Sequence, residues 1–107
     1  MAELSGSGSH GTIPDSTHVE IVPAPRSGFR MVRCLYVNNQ SGSTTTCYLA
    51  KKVGTTAYEF HRQIMSPGDM IEMGDGDSII LGPGESVEAW IGDTLSDVTY
   101  VTSFGDK

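Results

Sequence analysis

The sequence is short of the residue types that build disulfide scaffolds, metal centres and catalytic sites. Its 107 residues include two cysteines, one tryptophan and three histidines. Two cysteines are too few for the disulfide framework of a small secreted domain, and no cluster of cysteine and histidine has the close spacing of a zinc site. No run of apolar residues is long enough to span a bilayer. The start of the chain lacks the basic and apolar regions of a signal peptide, so synthesis in the cytosol is expected.

Basic residues are also scarce. The chain has 7 Lys and Arg against 13 Asp and Glu, which gives a formal net charge of −6. Binding to nucleic acid requires clustered cations on the phosphate backbone, so a nucleic-acid partner is not expected. The basic residues are scattered apart from Lys51-Lys52 and the trio Arg26, Arg30 and Arg33. The trio indicates either a surface that docks an acidic partner or a solvated strand edge.

Nothing in the sequence predicts catalysis or a cofactor. His10, His18 and His61 are far apart, and no serine or cysteine has the context of a nucleophile elbow. A cupin-like enzyme would need a set of histidines and a carboxylate around a metal, which is absent. The segment Asp75-Gly-Asp77-Ser78 is rich in oxygen ligands for Ca²⁺, but it lacks the full calcium-loop pattern and is more typical of an ordinary hairpin turn. We therefore expect no enzyme activity, no cofactor and no metal.

The sequence does contain two segments that strongly predict tight turns. Ser66-Pro67-Gly68-Asp69 and Gly82-Pro83-Gly84-Glu85 each lie between short runs in which apolar and polar residues alternate. Proline fixes φ and glycine allows positive φ, so each unit predicts a tight reversal. Strands this short between reversals predict an all-β protein.

The alternating runs predict about eight strands and no helix, since no segment has an apolar stripe of period 3.6. We expect a single antiparallel β-sandwich (residues 17–107) with jelly-roll or Ig-like Greek-key connections, preceded by a flexible, extended N-terminal arm (residues 1–16) that is rich in Gly and Ser. In the fourth run, Tyr58, Phe60, Arg62 and Ile64 are predicted to share one face. The predicted strands are 17–22, 29–37, 44–53, 58–64, 70–73, 78–81, 86–91 and 97–104.

Two residue types leave alternatives open. Cys34 and Cys47 flank the polar turn at 38–43 and would lie opposite one another if that turn were symmetric, so a disulfide is conceivable. Two small buried thiols are favoured because a cytosolic protein keeps its cysteines reduced. Trp90 alternates with apparent core positions, so it is predicted either on the outer face beside Glu88, where it would anchor a partner, or in a core covered on both faces.

The residues that the sequence proposes for interaction come from three places: Leu4, His10 and Ile13 of the N-terminal arm, Arg26 and Arg30 of the basic trio, and Trp90. An extended arm that buries little of its own can pair with the sheet edge of a neighbouring subunit through backbone hydrogen bonds.

From Phe29 onward, the chain has a long strand that ends in an Asn-bearing turn (LYVNNQSGSTTTCYLAKK), an aromatic strand and a Pro-Gly turn. The layout continues with a short acidic stretch that contains glycine and with a Gly-Pro-Gly-Glu turn. It ends in a final pair of strands that close near Phe-Gly (VEAWIGDTLSDVTYVTSFGDK). This layout resembles small β-sandwich virion proteins of tailed bacteriophages over about three-quarters of the chain. The resemblance implies a role in the virion and no catalytic residues.

The expected function is therefore that of a non-enzymatic virion structural protein, made in the bacterial cytoplasm, with a capsid decoration (cement) protein as the leading hypothesis. Its expected partners are the major capsid protein or neighbouring virion proteins, and its expected state is a homo-oligomer, with a trimer favoured. No membrane or nucleic-acid partner is expected. The alternatives are a head–tail junction or tail-decorating protein and, from another class, a carbohydrate-binding module that presents Trp90 and tyrosines.

Overall fold

The structure, a computed structural model, describes residues 5–74 and 79–107. Over these residues the chain is all-β, as predicted, and no helix in this part has the length and apolar character needed to cross a membrane. Nine strands are described: β1 (Ser5–Thr12), β2 (Val19–Val22), β3 (Arg30–Asn39), β4 (Thr45–Val53), β5 (Thr56–Met65), β6 (Met70–Met73), β7 (Ile79–Leu81), β8 (Glu85–Ile91) and β9 (Val98–Asp106).

The strands form two antiparallel sheets that pack into one sandwich. One sheet, here called the β3 sheet, has the order β1-β9-β3-β6, with β7 also paired to β3; the other, the β4 sheet, has the order β2-β8-β4-β5. The pairs nest in sequence, because β4 pairs with β5, β3 with β6 and β7, β2 with β8, and β1 with β9. Strands that pair in this nested order form a jelly roll. Of the two predicted connection types, jelly-roll and Ig-like Greek-key, the structure therefore has the first.

The interior is filled by aliphatic side chains from both sheets. Alternate residues of the central strands point inward, as a strand's period of two requires. Burying each large aliphatic side chain completely contributes about 1.5–3 kcal/mol. The largest fully buried residues are Ile13, Ile21, Leu35, Leu49, Met65, Ile71, Leu81, Ile91, Val22, Val37, Val87 and Val98.

Both Pro-Gly units form the predicted reversals. Gly68 has φ 90° and Gly84 has φ 79°, and positive φ at the third residue is the signature of a type II turn. The backbone amides of Asp69 and Glu85 donate to the carbonyls of Ser66 (2.9 Å) and Gly82 (3.1 Å). The two acidic residues close the turns again with their side chains, because Asp69 accepts from the Ser66 amide and Glu85 from the Gly82 amide.

The Asn-bearing turn connects the two sheets and is not a hairpin. The buried Asn39 side chain donates to the carbonyls of Ser43 and Met65, both at 2.9 Å, and accepts from Ser41. Because β3 and β4 lie in different sheets, Cys34 and Cys47 do not face each other across paired strands, as a symmetric turn would have required. Both thiols are free: Cys47 is buried, and the half-buried Cys34 lies 2.9 Å from the Ser103 hydroxyl.

The N-terminal stretch belongs to the sandwich over most of its length. Residues Ser5–Thr12 form β1, which pairs in uninterrupted register with β9, and the next residue, Ile13, is fully buried in the core. The expected flexible arm is therefore an edge strand of the same chain from residue 5 onward. Gly has low strand propensity and the segment has no alternating apolar residues, so the sequence did not predict this ninth strand. The predicted interaction residue Leu4 and the acidic turn at Asp75-Gly-Asp77-Ser78 lie outside the described residues.

Candidate interaction surfaces

The described residues bring together neither the three histidines nor a cluster of metal-ligating side chains. His10, His18 and His61 lie on β1, before β2 and on β5, and no group of three or more His, Cys, Asp or Glu side chains within residues 5–74 and 79–107 is placed to hold a metal ion. Burial raises the pKa of the Cys47 thiol to about 12, and a thiol that stays protonated is a poor nucleophile. The surfaces of the sandwich are therefore the candidate functional sites.

The outer face of the β4 sheet carries a row of stacked side chains, here called the aromatic ladder: the rings of His18, Trp90 and Tyr48 and the guanidinium of Arg62. The His18 and Trp90 rings stack with centroids 3.8 Å apart and planes 9° apart. The Trp90 and Tyr48 rings are 5.5 Å apart and 6° from parallel. The Arg62 guanidinium lies 4.9 Å from the Tyr48 ring centroid. The ladder crosses the sheet from the residue before β2 to β5, because Trp90, Tyr48 and Arg62 lie on the neighbouring strands β8, β4 and β5.

An ionic group supports one end of the ladder. The His18 Nδ1 atom lies 3.0 Å from Oε1 of the nearly buried Glu88, and the Lys52 ammonium lies 3.6 Å from the other carboxylate oxygen.

Trp90 is half-buried on the outer face, in the first of the two positions that the sequence left open. A sugar-binding platform presents the open face of a ring, whereas His18 and Tyr48 stack on the faces of Trp90. This geometry does not favour the carbohydrate-binding hypothesis.

A second surface is an apolar groove on the β3 sheet. Its volume is about 270 Å³, and it is lined by Phe29, Met31, Ile80, Gly105 and Lys107. Phe29 and Ile80 are 62% and 49% exposed. Met31, Ile80 and Gly105 are register partners on β3, β7 and β9, so the groove lies along one cross-strand row. The absent side chain of Gly105 leaves room between the walls.

The third surface is the edge strand β5. Three of its large side chains are exposed: Tyr58 by 60%, Phe60 by 42% and Ile64 by 70%. The register with β4 shifts between Leu49 and Ala50, which makes Phe60 the extra residue of a β-bulge. Simple alternation predicted that Tyr58 shares a face with Arg62 and Ile64. Because of the bulge, Tyr58 lies on the other face, and this prediction is wrong. Tyr58 lies in the row of Lys51 and the core residue Val87.

The structure does not gather the predicted interaction residues on one surface. His10 is exposed on β1 of the β3 sheet, opposite Val101, whereas Trp90 lies on the β4 sheet, and Arg26 is exposed in the loop before β3. Ile13 is not available to a partner, since it is fully buried and its amide donates to the Val98 carbonyl. The arm hypothesis is wrong for this residue.

Arg30 has a structural role within the chain. Its guanidinium donates to both carboxylate oxygens of Asp106, at 2.6 and 2.8 Å, and to the Pro23 carbonyl at 2.6 Å. It also lies 4.3 Å from the centroid of the Phe104 ring. The hydrogen bond from Arg30 lowers the pKa of Asp106, and Asp106 raises the pKa of Arg30. With five donors arranged in a fork, Arg30 joins β3, β9 and the Pro23 loop.

Sequence reasoning missed the apolar groove and the exposure of β5. The residues themselves were visible as parts of ordinary alternating strands, but exposure depends on which strand ends a sheet and where the opposing sheet stops. Neither fact has a local signal in the sequence.

No protein-family model matches the chain, and no curated protein matches it.

Proposed function

We propose that the chain is a non-enzymatic structural protein of a bacteriophage virion, a decoration protein that binds the capsid shell and stabilises it as a homo-oligomer. The observation that carries the proposal is the gathering of exposed apolar side chains on two surfaces, the apolar groove and β5, of a sandwich whose interior is filled. Exposed apolar patches of this kind mark protein–protein contact sites. The virion role itself comes from the resemblance of the strand and turn layout.

The physical properties of the domain suit that role. Two closely packed sheets with a filled interior hold the surface side chains in fixed positions, so little entropy is lost when a partner binds. The net charge of −6 keeps the free protein soluble and favours a basic partner surface. Many copies on a symmetric shell would gain avidity, so each contact can be weak.

The test is co-sedimentation of the purified protein with empty shells and, separately, with purified tails of the phage whose genome encodes the chain. The proposal expects saturable binding to shells, weakened by Ile80→Asp in the apolar groove. Val101→Asp is the matched control, because Val101 is 50% exposed on the same sheet, compared with 49% for Ile80. Binding to tails alone would favour the head–tail junction alternative, and binding to neither would overturn the virion role.

A further inference from the structure

The edge strand β5 has the properties of a contact between two copies of the chain. It ends the β4 sheet, and within the described residues it pairs with β4 alone. Over its ten residues, only Met65 is buried. An edge strand leaves one row of backbone N–H and C=O groups unpaired, and a long apolar edge is a template for another strand. The exposed Tyr58, Phe60 and Ile64 make this edge apolar.

The charges of β5 are self-complementary. Glu59 and Arg62 both lie on the outer face, since they are in register with Ala50 and Tyr48, whose β8 partners are Glu88 and Trp90. Their own ion pair at 3.1 Å confirms that they are neighbours there. In a strand without a bulge, residues three apart point to opposite faces. The bulge at Phe60 is what puts the acid and the base on one face.

Two such strands fit together around a two-fold axis. When two antiparallel copies of β5 are centred between Phe60 and His61, Glu59 lies opposite Arg62 of the second copy, and Arg62 lies opposite its Glu59. The same register places Ala57 opposite Ile64 on the outer face and Tyr58 opposite Gln63 on the other face. Residues on each side of the bulge thus meet partners on the matching face. No like charges oppose one another, and the strands pair on both sides of the axis, where the two bulges face each other.

We propose that β5 pairs antiparallel with β5 of a second copy, which joins two β4 sheets into one continuous eight-stranded sheet. The pairing would extend the row of Trp90, Tyr48 and Arg62 onto Glu59 of the second copy. It rests on the proposed function only in expecting that copies associate, and shell binding is not part of it. A contact of this kind is isologous and closes with two copies, so the proposal expects a dimer where the sequence favoured a trimer.

The experiment exchanges charges between copies. Glu59→Arg puts arginine opposite arginine twice across the axis, and Arg62→Glu puts glutamate opposite glutamate twice. Each variant alone should dimerise at least about ten-fold more weakly than the unmodified protein, because opposed like charges are costly. An equimolar mixture should form a heterodimer of nearly unmodified affinity, since every arginine then faces a glutamate. Both variants lose the internal Glu59–Arg62 pair, so recovery in the mixture cannot come from within one chain.

The readout is molar mass by light scattering over a wide range of protein concentration, with the unmodified protein as reference. Glu72→Arg is the matched control, because Glu72 is an exposed acid on β6 of the other sheet and the variant has the same change in net charge. It should dimerise like the unmodified protein. The proposal is overturned if the unmodified protein is monomeric or trimeric at all concentrations, or if the mixture behaves as the sum of its two components. A dimer that does not bind shells would refute the proposed function and leave this inference standing.

Discussion

The strands β1 and β5 both end a sheet, yet they present opposite surfaces to a partner. β1 consists of Gly, Ser, His and Thr and has no apolar side chain to expose, whereas β5 exposes Tyr58, Phe60 and Ile64. β1 is also anchored directly after its last residue, because Ile13 is buried in the core and the neighbouring Pro14 carbonyl accepts from the Leu95 amide at 2.9 Å. The strand that looks free in the sequence is thus paired with and anchored in its own chain.

The comparison teaches that hydrogen-bonding capacity alone does not make an edge a contact site. Every edge strand has unpaired backbone groups, but only an edge with apolar or complementary side chains gains enough from a partner to offset the entropy lost on association. β1 pairs with β9 through its backbone, but it has no apolar side chains that a partner could bury. β5 has both the apolar side chains and the paired charges.

The largest expected effect contrasts two isoleucines next to or within these strands. Ile13→Ala should lower the free energy of unfolding by about 2–5 kcal/mol, because it leaves a cavity in the core. Ile64→Ala should change it by less than about 0.5 kcal/mol, because Ile64 is 70% exposed. Urea unfolding at low protein concentration measures both. Equal effects would contradict the anchoring of the N-terminal strand in its own core.

The next effect tests the close fit of β1 against β9. A Cβ atom at Gly8 would lie 2.7 Å from the Thr102 carbonyl oxygen, which belongs to the paired strand and cannot move alone. Gly8→Ala should therefore cost about 1–3 kcal/mol through overpacking. Gly42→Ala is the control, since nothing lies within 4 Å of a Cβ there. If both variants unfold alike, β1 does not pair with β9 in this register.

A smaller effect concerns the aromatic ladder that runs to the β5 edge. A double-mutant cycle of His18→Ala and Trp90→Ala should give a coupling energy of about 0.5–1.5 kcal/mol, the value typical of stacked ring pairs. Thermal or urea unfolding of the four proteins measures it. A coupling near zero would mean that the two rings do not stack in solution.

The smallest effect depends on pH and concerns Asp106, whose register partners are Ser5 on β1 and Arg30 on β3. The hydrogen bond from Arg30 lowers the pKa of Asp106 below its ordinary value of 3.8. A carboxyl group with a lowered pKa stabilises the fold above its unfolded pKa, and this stabilisation is lost as the pH falls through the folded pKa. Asp106→Asn should have a lower free energy of unfolding than the unmodified protein near neutral pH. The difference between the two free energies, measured by urea unfolding at several pH values, should shrink as the pH falls below the ordinary pKa of 3.8. A difference that does not change with pH would contradict the ion pair.

The fold class could be predicted from the sequence because its signals are local. Pro67-Gly68 and Pro83-Gly84 specify their turns by backbone geometry alone, and the alternating runs between them specify strands. The turn around Asn39 shows where local signals stop, since the polar residues that suggest a hairpin instead connect the two sheets. The sequence therefore predicted strands more reliably than it predicted their partners.

The candidate surfaces depended on those partners and were mostly missed. Arg30 looked like a free cation because Asp106, its partner, is 76 residues away in sequence. The face that Tyr58 occupies depends on the bulge at Phe60, and its exposure follows from the place of β5 at the end of the sheet; neither is encoded next to Tyr58. The choice between the outer face and the core for Trp90 could be made only when the order β2-β8-β4-β5 was known.

Hydrogen exchange of the backbone amides as a function of protein concentration tests the contrast between the two edges most directly. The account predicts that amides of Ser5–Thr12 that bond to β9 are equally protected at low and high concentration, because their partners lie in the same chain. It predicts that amides of Thr56–Met65 that point away from β4 become protected only as the concentration rises. Protection of β1 that rises with concentration, with β5 unchanged, would contradict the account and restore the N-terminal strand as the contact between copies.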